Sequence, residues 1–173
     1  MIDLETLATS PDAKILSISA VLFDPFDPEP DPAEYPALDL LIDLEGQDNR
    51  REDPDTLAWW AKQDSKVIDH IFSEDGRVPL NDALVQLSKF VWNKSRLWSQ
   101  GSFDFEILTH ALHERRMSIP WPYYVIRDSR TLCDLVDVPI GPTSHDSLQD
   151  CLDQILKVQA TLATLGVTKF VRS

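Results

Sequence analysis

The most regular hydrophobic pattern lies at residues 14–23, where Ile15, Leu16, Ile18, Ala20 and Val21 are interrupted by Ser17 and Ser19. This partial alternation predicts a long strand. Residues 1–6 before it and 38–44 after it read as two further strands, so the chain opens as a three-stranded meander. The connection at 8–12 is turn-rich, and 24–36 carries five prolines among acidic residues, which predicts a loop or an irregular hairpin tip.

The period then lengthens. Residues 56–63 predict a helix opened at Asp53-Pro54-Asp55, with Asp53 or Asp55 as its cap. Residues 81–92 are apolar at i, i+3, i+4 and i+7, which predicts an amphipathic packing helix. A strand at 95–100 ends at Gly101, and a helix runs from Phe103 to about Arg116. Pro120 to Pro122 breaks the chain before a fifth strand at 124–127. Asp128 then leads a short helix, 139–143 reads as a loop, and a last helix runs to about Leu165, with Ser144 as cap and Asp146 in its first turn. Strands followed by alternating helices and strands predict one α/β domain over 1–173, a five-stranded mixed sheet with helices on both faces.

Composition narrows the function classes. A length of 173 residues with 43% hydrophobic content suits a single globular core. No run of about 18 apolar residues could cross a membrane, and no apolar segment with a basic flank reads as a signal peptide. Cys133 and Cys151 have neither metal nor redox spacing and read as small buried residues, so a reducing, cytoplasmic setting is expected. The net charge of −13 excludes a broadly basic nucleic-acid coating surface, while leaving room for a small acidic cleft that grips one strand end.

Candidate chemistry sits in three places. Asp3 and Glu5 are two apart on the first strand, so both carboxylates point to one face, within reach of a hard cation such as Mg²⁺ or Mn²⁺. Asp104 stands at a strand-to-helix junction behind Gly101, where a carboxylate is also an ordinary helix-start residue. His145 and Asp150 open the last helix, with Asp146 and Asp153 as rival carboxylates. Trp59 and Trp60 are adjacent, about 100° apart on a helix, so one faces the core more easily than both, and the other could offer a stacking face.

Taken in order, Asp3-Leu4-Glu5-Thr6, then Trp98-Ser99-Gln100-Gly101-Ser102-Phe103-Asp104, then His145 with Asp150 five residues on, resemble the motifs of DEDDh exonucleases. These are DnaQ-like and ribonuclease-T-like 3′–5′ exonucleases with an RNase H-like fold. The stretches 56–63, Arg127-Asp128-Ser129-Arg130-Thr131-Leu132 and His145-Asp146-Ser147-Leu148-Gln149-Asp150-Cys151 further resemble phage exodeoxyribonucleases of the DexA type. The resemblance covers nearly the whole chain.

It implies hydrolysis of phosphodiester bonds from the 3′ end of single-stranded nucleic acid, releasing nucleoside 5′-monophosphates. Asp3, Glu5, Asp104 and Asp150 would hold two Mg²⁺ or Mn²⁺ ions, and His145 would act as general base. Leu4 and Phe103 would wedge against the terminal nucleotide, and backbone groups near Glu5 and Thr6 would contact its 3′-hydroxyl. Trp59 or Trp60 would stack a base, and Arg130 would meet a phosphate. DNA is the favoured polymer. The alternatives are an exoribonuclease of the ribonuclease T or oligoribonuclease kind and, from another class, a nucleotide- or protein-binding module on the same fold. A homodimer is left open, as is phage, prophage or bacterial origin. The first strand is short for a central strand, which implies either a start upstream of Met1 or support from its neighbours.

Overall fold

The computed structural model describes residues 1–29, 31–138 and 144–171. Strands β1 (Ile2–Thr6), β2 (Ile15–Val21) and β3 (Ala37–Leu41) form an antiparallel ladder in that order. Helices α1 (Pro54–Trp60), α2 (Ser65–Ile71) and α3 (Leu80–Phe90) follow. Next come β4 (Leu97–Ser99), α4 (Phe103–Glu114), β5 (Ile126–Asp128), α5 (Ser129–Cys133) and α6 (Ser147–Thr164).

The five expected strands are present, but they are bonded as two ladders rather than one sheet. β4 pairs with β5 in parallel, Leu97 against Ile126 and Ser99 against Asp128. β4 flanks β1 through Leu97, which shares a core with Ile2 and Leu4. The reason is visible at Leu4: its N–H, turned away from β2, donates to the Asp104 side chain instead of to a strand carbonyl. With β4 only three residues long, few groups remain for a continuous ladder.

Side-chain alternation sets the layers. Ile2 pairs across from Ala20 and Leu4 from Ile18, and all four point into a core closed by Ala83, Leu84 and Leu87 of α3 and by Phe105 and Leu108 of α4. The opposite face of β1 and β2 carries Asp3, Glu5, Ser17 and Ser19, and α6 covers it with Cys151, Ile155, Val158 and Leu162 over Val21. Helices therefore lie on both faces, as the pattern predicts. A third cluster under α1 and α2 holds Leu7, Leu16, Trp60 and Ile71.

Several boundaries differ. The sequence pattern omits α2, a short helix whose start is marked by Asp64 accepting from the Lys66 N–H. The cap of α6 is Asp146, which accepts from the N–H groups of Leu148 and Gln149, and not Ser144. Asp53 caps α1 and Asp128 caps α5. Residues 123–125 form a 3₁₀ turn, so β5 starts at Ile126. The loop expected at 139–143 lies outside the described residues. Among the described residues no helix is long and apolar enough to cross a membrane.

Candidate active site

Strand pairing sets small residues opposite the first two carboxylates. Asp3 lies opposite Ser19 and Glu5 opposite Ser17, so each acid faces a small hydroxyl residue. Those hydroxyls are not idle. The Oγ atoms of Ser17 and Ser19 each lie 2.7 Å from Ser147 Oγ at the start of α6, which docks that helix onto the acidic face of the ladder. Asp104, in the first turn of α4, is held from the other side by the Leu4 N–H at 3.0 Å.

Asp150 reaches back over the entry to α6. Its Oδ1 accepts from the N–H and the hydroxyl of Ser144, both at 2.8 Å, and its Oδ2 accepts from the His145 N–H at 3.1 Å. That turn puts His145 in the left-handed region at φ 59°, a conformation in which a non-glycine residue is uncommon. The result is a tight group: ligand atoms of Glu5, His145 and Asp150 all lie within 4.8 Å of one another. The His145 ring meets Trp59 edge-on, with centroids 4.6 Å apart.

Electrostatics follow from this convergence. Burial first, then Asp104, Glu5 and Asp150, push the Asp3 carboxyl well above its ordinary range, with a bond from Gln154 opposing. Burial and the charges of Asp150, Asp104 and Asp146 push Glu5 up to about 8. Burial raises Asp104 to about 7 against the pull of its own and the Leu4 N–H groups. Among the described residues no Lys or Arg pairs with Asp3, Glu5, Asp104 or Asp150 within 4.0 Å. Four gathered carboxylates without a basic partner, beside one imidazole, form a donor set that fits a hard divalent cation.

The expected substrate residues are placed unevenly. Leu4 is a correction: its side chain is 5% exposed in the core, on the face opposite Asp3 and Glu5, because successive strand residues alternate. Its contribution to the site is its N–H. Trp60 is likewise core, 2% exposed, with its indole N–H on the Thr6 carbonyl at 2.9 Å, so it offers no stacking face. Trp59 is 39% exposed beside His145. Thr6 is buried, its hydroxyl donating to the Ala8 carbonyl at 2.7 Å. Phe103 is half-buried against the main core, next to Asp104. Arg130 is exposed on α5, lining a small recess with Gln154 and Lys157.

Sequence reasoning missed Gln154. Its side-chain N–H₂ donates to Asp3 Oδ1 at 2.8 Å, linking α6 to β1. A signal was available, since Gln154 lies four residues after Asp150 and so shares its helix face. The two cysteines are free, Cys151 buried and Cys133 half-buried.

The chain's fold is similar to the solved structure of cell-death related nuclease 4 (CRN-4), with a TM-score of 0.59 at 13% identity over 96% of this chain. The chain spans 64% of the length of that protein. No curated protein matches the sequence. Residues 1–162 match the model of the Rv2179c-like 3′-5′ exoribonuclease domain, and the chain belongs to that family.

Proposed function

We propose that the protein is a DEDDh-type exonuclease on an RNase H-like frame, removing nucleoside 5′-monophosphates from the 3′ end of single-stranded nucleic acid. The observation that carries this reading is the convergence of Asp3, Glu5, Asp104 and Asp150, without a basic partner among the described residues, with His145 beside Glu5 and Asp150. RNA is the first candidate polymer, because the family's description names an exoribonuclease. DNA is the second, on the resemblance of 56–63 and 127–132 to phage DNA enzymes.

The four carboxylates would hold two Mg²⁺ or Mn²⁺ ions. When bound, such ions supply an activated water and charge stabilisation at the leaving oxygen. The chain's own residues do the rest. His145, carried on the left-handed turn, offers a ring nitrogen to take a proton from the attacking water. Trp59 limits how that ring can rotate. Gln154 and the Leu4 N–H fix the orientation of Asp3 and Asp104, so the carboxylates need not reorganise on loading. Phe103 and Trp59 present apolar surface beside the acids for a terminal base.

The deciding experiment is a single-turnover digest of matched 5′-labelled RNA and DNA oligonucleotides with Mg²⁺ or Mn²⁺. A ladder shortening from the 3′ end, lost in Asp3→Ala and His145→Ala, is expected, with RNA the faster polymer. Absence of cleavage with either polymer and either metal would sink the reading.

A further inference from the structure

A groove of about 690 Å³ opens at the end of β4 away from Asp104, between the turn that follows α3 and the 3₁₀ turn before β5. Trp92, Lys94, Arg96, Trp121, Tyr124 and Arg127 define its walls, and among the described residues no carboxylate lines it. In a chain with 29 acidic and 16 basic residues, a groove with three cations and no acid is a marked local reversal of charge. Among the described residues none of the three pairs with an acidic group within 4.0 Å.

Their geometry is set by other contacts. The Arg96 guanidinium stacks 4.3 Å over the Phe170 ring. Arg127 Nη1 donates to the carbonyls of Tyr124 and Ile126 at 2.7 Å, which holds the guanidinium at the groove. Trp92 is 70% exposed and Tyr124 64%, while Trp121 is buried against Phe105 and forms a rigid floor. Exposed aromatic rings interleaved with unpaired cations match the chemistry of a single nucleic-acid strand, whose bases stack and whose phosphates need positive charge.

The geometry points to this groove as a second binding site for the same single strand, holding nucleotides upstream of the 3′ end while the acids engage the terminus. The inference rests on the exonuclease reading for the identity of that strand. β4 spans only three residues, about 10 Å at strand rise, so one strand of modest length reaches both places. The acidic remainder of the surface repels the polyanion, which makes this basic groove the favoured path.

The test uses fluorescence anisotropy of a 5′-labelled RNA of about 12 nucleotides, a length within the range of single-strand sites, in EDTA. Wild type is compared with the double variant Trp92→Ala/Lys94→Gln, both at exposed positions outside the catalytic machinery. The expected result is a Kd weakened about 5- to 100-fold and a salt slope smaller by about 0.7 for the lost cation. Hydrolysis of a dinucleotide, too short to reach the groove, stays unchanged. An unaltered Kd and salt slope, or no binding of the longer RNA by wild type, would overturn the site. So would a shift from dimer to monomer in the sedimentation of the variant with RNA affinity intact, which would make the groove a contact between two copies. Failure of wild type to cleave the dinucleotide bears on the exonuclease reading alone, since the anisotropy needs no turnover.

Discussion

Gln154 Nε2 donates to Asp3 Oδ1 at 2.8 Å, so a residue in the middle of the last helix orients a carboxylate on the first strand. Among the described residues the other amide atom, Gln154 Oε1, is buried without a hydrogen-bond partner, and the Asp3 bond is the one that holds the side-chain amide. Gln154→Ala should therefore weaken metal-dependent activity by about 10- to 100-fold, the usual cost of losing a group that orients a ligand. A metal titration of the cleavage rate checks this: the half-saturating Mg²⁺ or Mn²⁺ concentration should rise, and an unchanged titration would show that Gln154 only packs.

His145 separates stability from activity. Its φ of 59° is better tolerated by Asn than by most residues, so His145→Asn should fold with a melting temperature close to wild type. The same substitution removes the proton acceptor and should lower the single-turnover rate by about 10²–10⁴. Equal losses of rate and stability would mean that the ring serves mainly to pack on Trp59.

The adjacent tryptophans should behave oppositely. Trp60→Ala empties a buried site and frees the Thr6 carbonyl, and a destabilisation of about 3–5 kcal/mol is expected by chemical denaturation. Trp59→Ala, at a half-exposed position, should cost little stability but slow cleavage by loosening the His145 ring. Comparable unfolding midpoints for the two variants would contradict this division.

The gathered acids give a pH dependence with a definite sign. In the metal-free protein the Glu5 carboxyl is pushed up to about 8 by burial and its acidic neighbours, and Asp104 to about 7 by burial, from ordinary values of 4.5 and 3.8. Between those limits the folded state binds more protons than the unfolded chain, so this contribution falls as pH rises. Burial lowers the Met1 amine to about 6, which gives the opposite slope between 6 and its ordinary 8.0. Comparison with Asp104→Asn isolates the acids, because Asn keeps an oxygen to accept the Leu4 N–H. Calorimetry in EDTA from about pH 5 to about pH 8.5 should show the wild type losing more stability than the variant, by about 1–3 kcal/mol. Mg²⁺ or Mn²⁺ should restore the wild type most at the alkaline end, and identical pH profiles for the two proteins would refute the account.

What the sequence determined by itself was local. The alternation around Ile15–Val21 placed a strand, the i, i+3, i+4 spacing placed α3, and Asp3 and Glu5 two apart had to share a face once β1 was extended. Local periodicity is a property of neighbouring residues, so it survives without knowledge of the fold. The ordered acidic motifs also pointed to the 3′–5′ exonuclease families, and the family match places the chain in one of them.

Only the tertiary structure decided which groups meet. The same alternation that exposed Asp3 and Glu5 to the site turned Leu4 into the core, and the 100-residue reach from Leu4 to Asp104 replaced a strand bond and divided the sheet. Trp60 rather than Trp59 became the core residue because α1 rests its Trp60 face on Leu7 and Leu16. The bond of Gln154 to Asp3, and the hydroxyl contacts of Ser147 with Ser17 and Ser19, join residues more than a hundred positions apart. Such contacts depend on how helices settle against strands, a matter of long-range packing that no local spacing in the chain encodes.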